Sequence, residues 1–133
     1  MNSDITNLED GPKWAAINSL KERFIYLRHI YTCLFMSSKN GGSCYDPVYF
    51  HFPELGINEY NSTFIVGDAI LVQPTLDLRL SNDTYKTFFP PGKWVHLRTK
   101  EIKNGEAGIG SYLEIKFSTN NSANAWLREG FII

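Results

Sequence analysis

Apolar residues recur at helical intervals in one stretch of this chain. Ile17, Leu20, Phe24, Leu27, Tyr31 and Leu34 are spaced by threes and fours, the stripe of an amphipathic helix. Asp10 can cap ahead of Pro12, which suits a first-turn position, and Asn40-Gly41-Gly42 supplies a stop signal. The spacing predicts one long helix over residues 13–39, with Lys21, Arg23 and Arg28 off the stripe and Trp14 packing its start.

After Gly42 the period shortens to that of strands. Val48-Tyr49-Phe50-His51-Phe52 is an aromatic and β-branched run closed by Pro53, and it reads as a strand. Residues 55–62 are polar and turn-rich. Phe64-Ile65-Val66 and Ala69-Ile70-Leu71-Val72 are buried strand segments split by Gly67-Asp68, with Asp68 in the turn. Residues 85–89 and 94–98 flank Pro90-Pro91-Gly92, which reads as a turn between two strands. Gly105, Gly108 and Gly110 mark a further loop. Tyr112, Glu114 and Lys116 then alternate with Leu113, Ile115 and Phe117, the pattern of a half-buried strand. The chain ends on Ala125-Trp126-Leu127 and Phe131-Ile132-Ile133. A chain that stops inside an apolar strand reads as a segment whose continuation is missing; the alternative is a C-terminal strand tucked into a sheet. The fold class is therefore mainly β, with one long N-terminal helix ahead of six or seven short strands in a small antiparallel sandwich.

Composition narrows the function classes. The chain has 133 residues and is 43% hydrophobic, 14% aromatic and 20% charged, which suits one packed domain and argues against disorder. Thirteen Lys and Arg stand against fourteen Asp and Glu, so a basic nucleic-acid footprint is absent. No apolar run approaches the roughly 20 residues of a membrane span. Residues 1–12 are polar and acidic, without the charged-then-apolar pattern of a signal peptide. Two cysteines, Cys33 and Cys44, are too few for a disulfide framework or a four-ligand zinc site. Their spacing permits one bridge across a helix end; with nothing else demanding oxidation, two buried free thiols are the expectation. Asn61, Asn82 and Asn120 each begin a glycosylation sequon.

Candidate chemistry is sparse. His29, His51 and His96 fall on different elements without ligand spacing, so structural or surface roles are expected over a shared metal site. Asp46, Glu54 and Asp68 could in principle form a carboxylate pair, but nothing in the sequence selects them. The glycines of 105–110 lack the strand–loop–helix setting of a phosphate cradle. Trp94, Trp126, Tyr85 and Tyr112 could stack on sugar rings, although on short strands such residues are more often core.

Several segments together resemble one family, glycoside hydrolase family 31, the α-glucosidases and relatives. Residues 23–32, RFIYLRHIYT, are similar to the family's R-Y-x-L-L-P-Y/H-L-Y-T helix. Residues 41–53 are similar to G-x-P-V-x-R-P-L-F-x-E-F-P, with Pro47, Phe50 and Pro53 in place. Residues 64–74 resemble F-M-x-G-x-A-L-L-V-x-P-V, and Phe88 to Trp94 resembles Y-F-P-x-G-x-W. Residues 124–133 resemble N-V-H-L-R-G-G-Y-I-I, with Arg128 and Gly130 retained. Arg28 and Ser43 depart from the family's prolines, Asp46 from its Arg, Val95-His96 from its Tyr-Asp and Glu129 from a Gly. The Asp46 departure reverses a charge at a position expected to be buried or paired, and an unpaired buried charge would mark a degenerating copy.

The resemblance implies an architecture. Residues 1–12 would be a polar tail. Residues 13–53 would be the last helix and closing strand of a (β/α)8 barrel. Residues 54–133 would be the proximal C-terminal β-sandwich, stopping before a distal domain. In that family a retaining mechanism uses two carboxylates about 5 Å apart at the barrel's C-terminal face. The family's W-x-D-M-N-E nucleophile motif is absent from these residues, and its acid/base lies upstream of the matched region. The resemblance therefore assigns no catalytic, substrate-binding, cofactor-binding or metal residue here, and implies no cofactor. Carbohydrate would be met only through the barrel, and the role would be structural support within an α-glucosidase. The alternative is a stand-alone sandwich module that binds a glycan or a protein partner through Trp94 or Trp126. The helix stripe, lacking its barrel, would be open to self-association or a partner. A secretory, lysosomal or extracellular location would follow if a parent chain carried a signal peptide.

Overall fold

The computed structural model describes residues 10–56, 63–74, 84–116 and 124–133. The three sequons at Asn61, Asn82 and Asn120 lie outside the described residues.

The predicted long helix is two helices, α1 (Asp10–Ile25) and α2 (Leu27–Asn40), with Tyr26 between them at φ −97° and ψ 11°. The Tyr26 amide reaches back to the Arg23 carbonyl at 3.2 Å, a tighter bond than the α-helical i−4 pattern. The run Phe24-Ile25-Tyr26 holds aromatic and β-branched residues that favour a helix weakly, so the ladder gives way there.

Strand β1 (Tyr45–Pro47) follows the Gly41-Gly42 turn. The expected strand over 48–52 is instead a helical turn, α3 (Val48–His51), and then a 3-10 turn over Pro53–Leu55. Pro47 sits extended at φ −61° and ψ 149° just ahead of α3, and Pro53 opens the 3-10 turn. The prolines thus punctuate two short turns where composition alone suggested one strand.

The remaining strands are β2 (Phe64–Val66), β3 (Ile70–Gln73), β4 (Thr84–Phe89), β5 (Gly92–His96), β6 (Ile102–Gly105), β7 (Ser111–Lys116) and β8 (Asn124–Arg128). They form two antiparallel sheets. One has six strands in the order β1-β2-β3-β8-β5-β6, and the other pairs β4 with β7. The β2–β3 hairpin at Gly67-Asp68 agrees with the sequence. Pro90-Pro91-Gly92 joins two strands, β4 and β5, as expected, and the connection is a crossover, because the two belong to different sheets. Strand β8 ends at Arg128, so Phe131-Ile132-Ile133 lie outside it.

The six-stranded sheet is buried on both faces. Ile65, Leu71, Trp94 and Trp126 point toward the two-stranded sheet, where they meet Phe88, Phe89 and Ile115; Val48 and Phe52 join the same core. The alternate residues of the same strands, Val66, Ile70, Val72, Ala125 and Leu127, face α2 through Tyr26, Ile30 and Cys33. The result is three layers: a two-stranded ribbon, a six-stranded sheet and a helix. Phe89 and Trp126 meet edge to face with centroids 4.9 Å apart. The Trp94 indole N–H donates to the Pro90 carbonyl at 2.8 Å, which pins the crossover. The Arg128 guanidinium lies 4.7 Å over the Phe52 ring, tying β8 to the turns after β1.

Candidate functional site

The sequence-level candidates settle first. Trp94 and Trp126 are fully buried and Tyr85 is half-buried, so neither tryptophan can offer a face to a sugar. Tyr112 is exposed but packs edge-on against Phe88. Trp14, expected to pack the helix start, is 60% exposed. Gly105 and Gly110 serve packing: a Cβ on Gly105 would overlap the Pro90 carbonyl, and one on Gly110 would overlap the Phe88 ring. Among the described residues no cluster of His, Cys, Asp and Glu could hold a metal, and no helix is long and apolar enough to cross a membrane.

The three histidines go to three places. His96 Nδ1 lies 3.2 and 3.0 Å from the backbone N–H groups of Arg98 and Thr99, and its Nε2 lies 3.1 Å from Asn124 Oδ1. Nδ1 thus accepts from two backbone N–H groups, and Nε2 faces the Asn124 amide oxygen. Asn124 passes the network to the Tyr85 hydroxyl at 3.1 Å, and Tyr85 donates to the Gln73 carbonyl at 3.2 Å. Tyr85 of β4 therefore staples the two sheets through Asn124 of β8 and Gln73 of β3, and His96 holds Asn124 in place. His29 Nε2 lies 2.9 Å from the Val66 carbonyl and anchors α2 over the β2–β3 turn.

His51 joins a carboxylate cluster. Its Nε2 is 3.2 Å from Asp46 Oδ2, and its Nδ1 is 3.6 Å from Asp68 Oδ1. Asp46 is buried and also accepts from the Ser43 hydroxyl at 2.6 Å. The Asp46 carboxylate is thus partnered by the Ser43 hydroxyl and the His51 ring rather than left alone. The expected cost of an orphaned charge does not arise. The cluster links β1, α3 and the β2–β3 turn. Asp46 has both oxygens engaged and no open face for a substrate. Glu54 is exposed and sits in the 3-10 turn.

Cys33 and Cys44 are not free thiols: they form a disulfide, with Cα atoms 5.5 Å apart. The bridge links the inner side of α2 to the residue just before β1.

What remains unabsorbed is the outer face of the helix pair. Leu20, Phe24, Leu27, Tyr31 and Leu34, five members of the predicted stripe, are 39%, 70%, 42%, 72% and 49% exposed. The face that packs on the sheet is a different one, Tyr26, Ile30 and Cys33. Ile25, Phe35 and Met36 widen the outward surface. Basic Lys21, Arg23 and Arg28 are exposed on the same two helices. Glu22 pairs with Arg98 and fastens α1 to the turn after β5. The sequence found the stripe but not its direction, because the phase break at Tyr26 is local and the sheet that α2 packs on comes later in the chain.

Comparison with known proteins places this geometry. Residues 41–133 match the glycosyl hydrolase family 31 C-terminal domain. A lysosomal acid alpha-glucosidase from Tetrahymena pyriformis is 27% identical across 98% of this chain. Alpha-glucosidase 2 from Bacillus thermoamyloliquefaciens is 30% identical across 65% of it. The chain spans only 14% and 11% of those two proteins. A GH31 dextranase from Flavobacterium johnsoniae superposes with a TM-score of 0.85 over 99% of this chain and 16% of its own, at 15% identity. A glucosidase II alpha subunit gives 0.81 over 98% of this chain and 14% of its own, also at 15% identity. The fold is shared with both. A mainly antiparallel sandwich, fronted by helices and matched over most of its length by that domain, belongs to glycoside hydrolase family 31 through the family's C-terminal domain.

Proposed function

We propose that this chain is the non-catalytic C-terminal portion of an α-glucosidase-type hydrolase. Residues 13–53 are the last helical layer and closing strand of a (β/α)8 barrel, and residues 54–133 are the sandwich that braces it. Hydrolysis of α-linked glucosides by a retaining pair of carboxylates belongs to residues upstream of these. The contribution of this chain is to hold the end of the barrel in register for that pair. The observation that carries the reading is the outward apolar face of α1 and α2, on a chain that spans 11–14% of the α-glucosidases it resembles. Such a face has its natural occupant in the missing barrel. The burial of Trp94 and Trp126 removes the aromatic platform that a stand-alone glycan-binding module would use.

The test is the native size of the gene product, read by immunoblot of the source cells with an antibody to the sandwich. The expected result is a band several-fold heavier than 15.2 kDa that hydrolyses a chromogenic α-glucoside, while the purified 133-residue chain does not. A lone band at the size of this chain would overturn the reading, as would turnover by the chain itself.

A further inference from the structure

We propose that the Cys33–Cys44 disulfide is a redox latch that holds α2 on the six-stranded sheet, and that a dithiol releases the helix pair while the sandwich stays folded. This inference does not rest on the hydrolase reading.

The argument begins with how little else secures α2. None of its side chains is fully buried. Its non-covalent hold on the sheet is half-buried packing by Tyr26, Ile30 and Cys33, with the bond between His29 and the Val66 carbonyl at 2.9 Å. The connection from α2 into β1 runs through Gly41 and Gly42, with φ of 81° and 95°. A Cβ at either would meet nothing within 4 Å. Two open glycines in a left-handed conformation make a pivot that packing does not restrain. Short of the disulfide, the helix pair is held by that packing, by the His29 bond and by the Glu22–Arg98 ion pair of α1, none of them covalent. Cys33 lies two turns back from that pivot, about 10 Å along the axis. Its bond to buried Cys44 therefore fixes a second point, and two points set the direction of a rod.

The main core lies elsewhere. It comprises Val48, Phe52, Ile65, Leu71, Phe88, Phe89, Trp94, Ile115 and Trp126, and takes no residue from α1 or α2. Releasing the helices uncovers the opposite face of the sheet, at Val66, Ile70 and Leu127, and leaves the inter-sheet packing intact. In the step itself the S–S bond accepts two electrons and two protons from the dithiol. Two S–H bonds form, and the dithiol closes into its own disulfide.

Hydrogen exchange read by mass spectrometry on the 133-residue chain, before and after dithiothreitol, tests this. After reduction the amides of 27–40 are expected to exchange at least about tenfold faster, with those of 84–96 unchanged. Thiol titration should find two thiols only after reduction. The Cys33→Ala/Cys44→Ala double variant should show the reduced pattern in both conditions. Free thiols before reduction would overturn the proposal. So would exchange in α2 that reduction does not alter, or loss of protection across the sandwich as well.

Discussion

Asp46 keeps its carboxylate away from water and on two partners, the Ser43 hydroxyl and the His51 ring. Asp46→Ala should therefore cost about 1–3 kcal/mol in a denaturant melt, because it orphans partly buried donors. In a His51→Ala background the same change should cost less, the signature of direct coupling. Tyr26 carries a second, pH-dependent prediction. Burial first, and the Glu22 carboxylate next, push its hydroxyl up from the ordinary value, with Arg98 opposing. The folded state thus holds this proton more tightly than the unfolded chain. Its share of stability is complete below the ordinary tyrosine pKa of about 10 and is lost as pH rises through the raised value. Alkaline titration should loosen the α2–sheet contact, and Tyr26→Phe should abolish that part of the loss; hydrogen exchange across the alkaline range measures both. Some of this was legible beforehand. The aromatic character of Trp94 and Trp126 already favoured core over sugar platform. The Asp46–His51 pair was not, because an extended strand puts residues five apart on opposite faces, and only the turn of α3 brings them together.

At the scale of elements, local signals were readable and non-local ones were not. The β2–β3 hairpin follows from two short apolar runs around Gly67-Asp68, and β7 from strict alternation in 111–116. The turn at Pro90-Pro91-Gly92 is readable in sequence, but its being a crossover is not. What distinguishes it is the partner of each strand, β7 for β4 and β8 for β5, which no neighbouring residue encodes. The spaced glycines after β6 acquire their reason only in three dimensions, since Gly105 lies against the Pro90 carbonyl. Gly105→Ala should therefore force the crossover to move and cost about 1–3 kcal/mol, seen as a lowered melting temperature.

For the whole molecule, the helix stripe was legible as a pattern but its orientation depended on the sheet. Its outward face leads to a further expectation. Alone, the 133-residue chain should self-associate in a concentration-dependent way, followed by light scattering. Phe24→Glu with Tyr31→Glu should reduce that association without lowering thermal stability, since both residues are largely exposed. A monodisperse wild-type chain at high concentration would count against this. The order of the six-stranded sheet has one more consequence. Strand β8 lies between β3 and β5, although it is the last of the eight to be synthesised. As the chain leaves the ribosome, β1-β2-β3 and β5-β6 can form early but cannot meet. Each presents an unsatisfied edge until residues 124–128 emerge to join them. Assembly of this domain is therefore a late event with long-range closure, slow by topology, and its nascent halves are exposed to wrong edge pairings. A ribosome stalled before β8 would hold three separate pieces, β1-β2-β3, β5-β6 and the β4–β7 ribbon, rather than a smaller version of the domain.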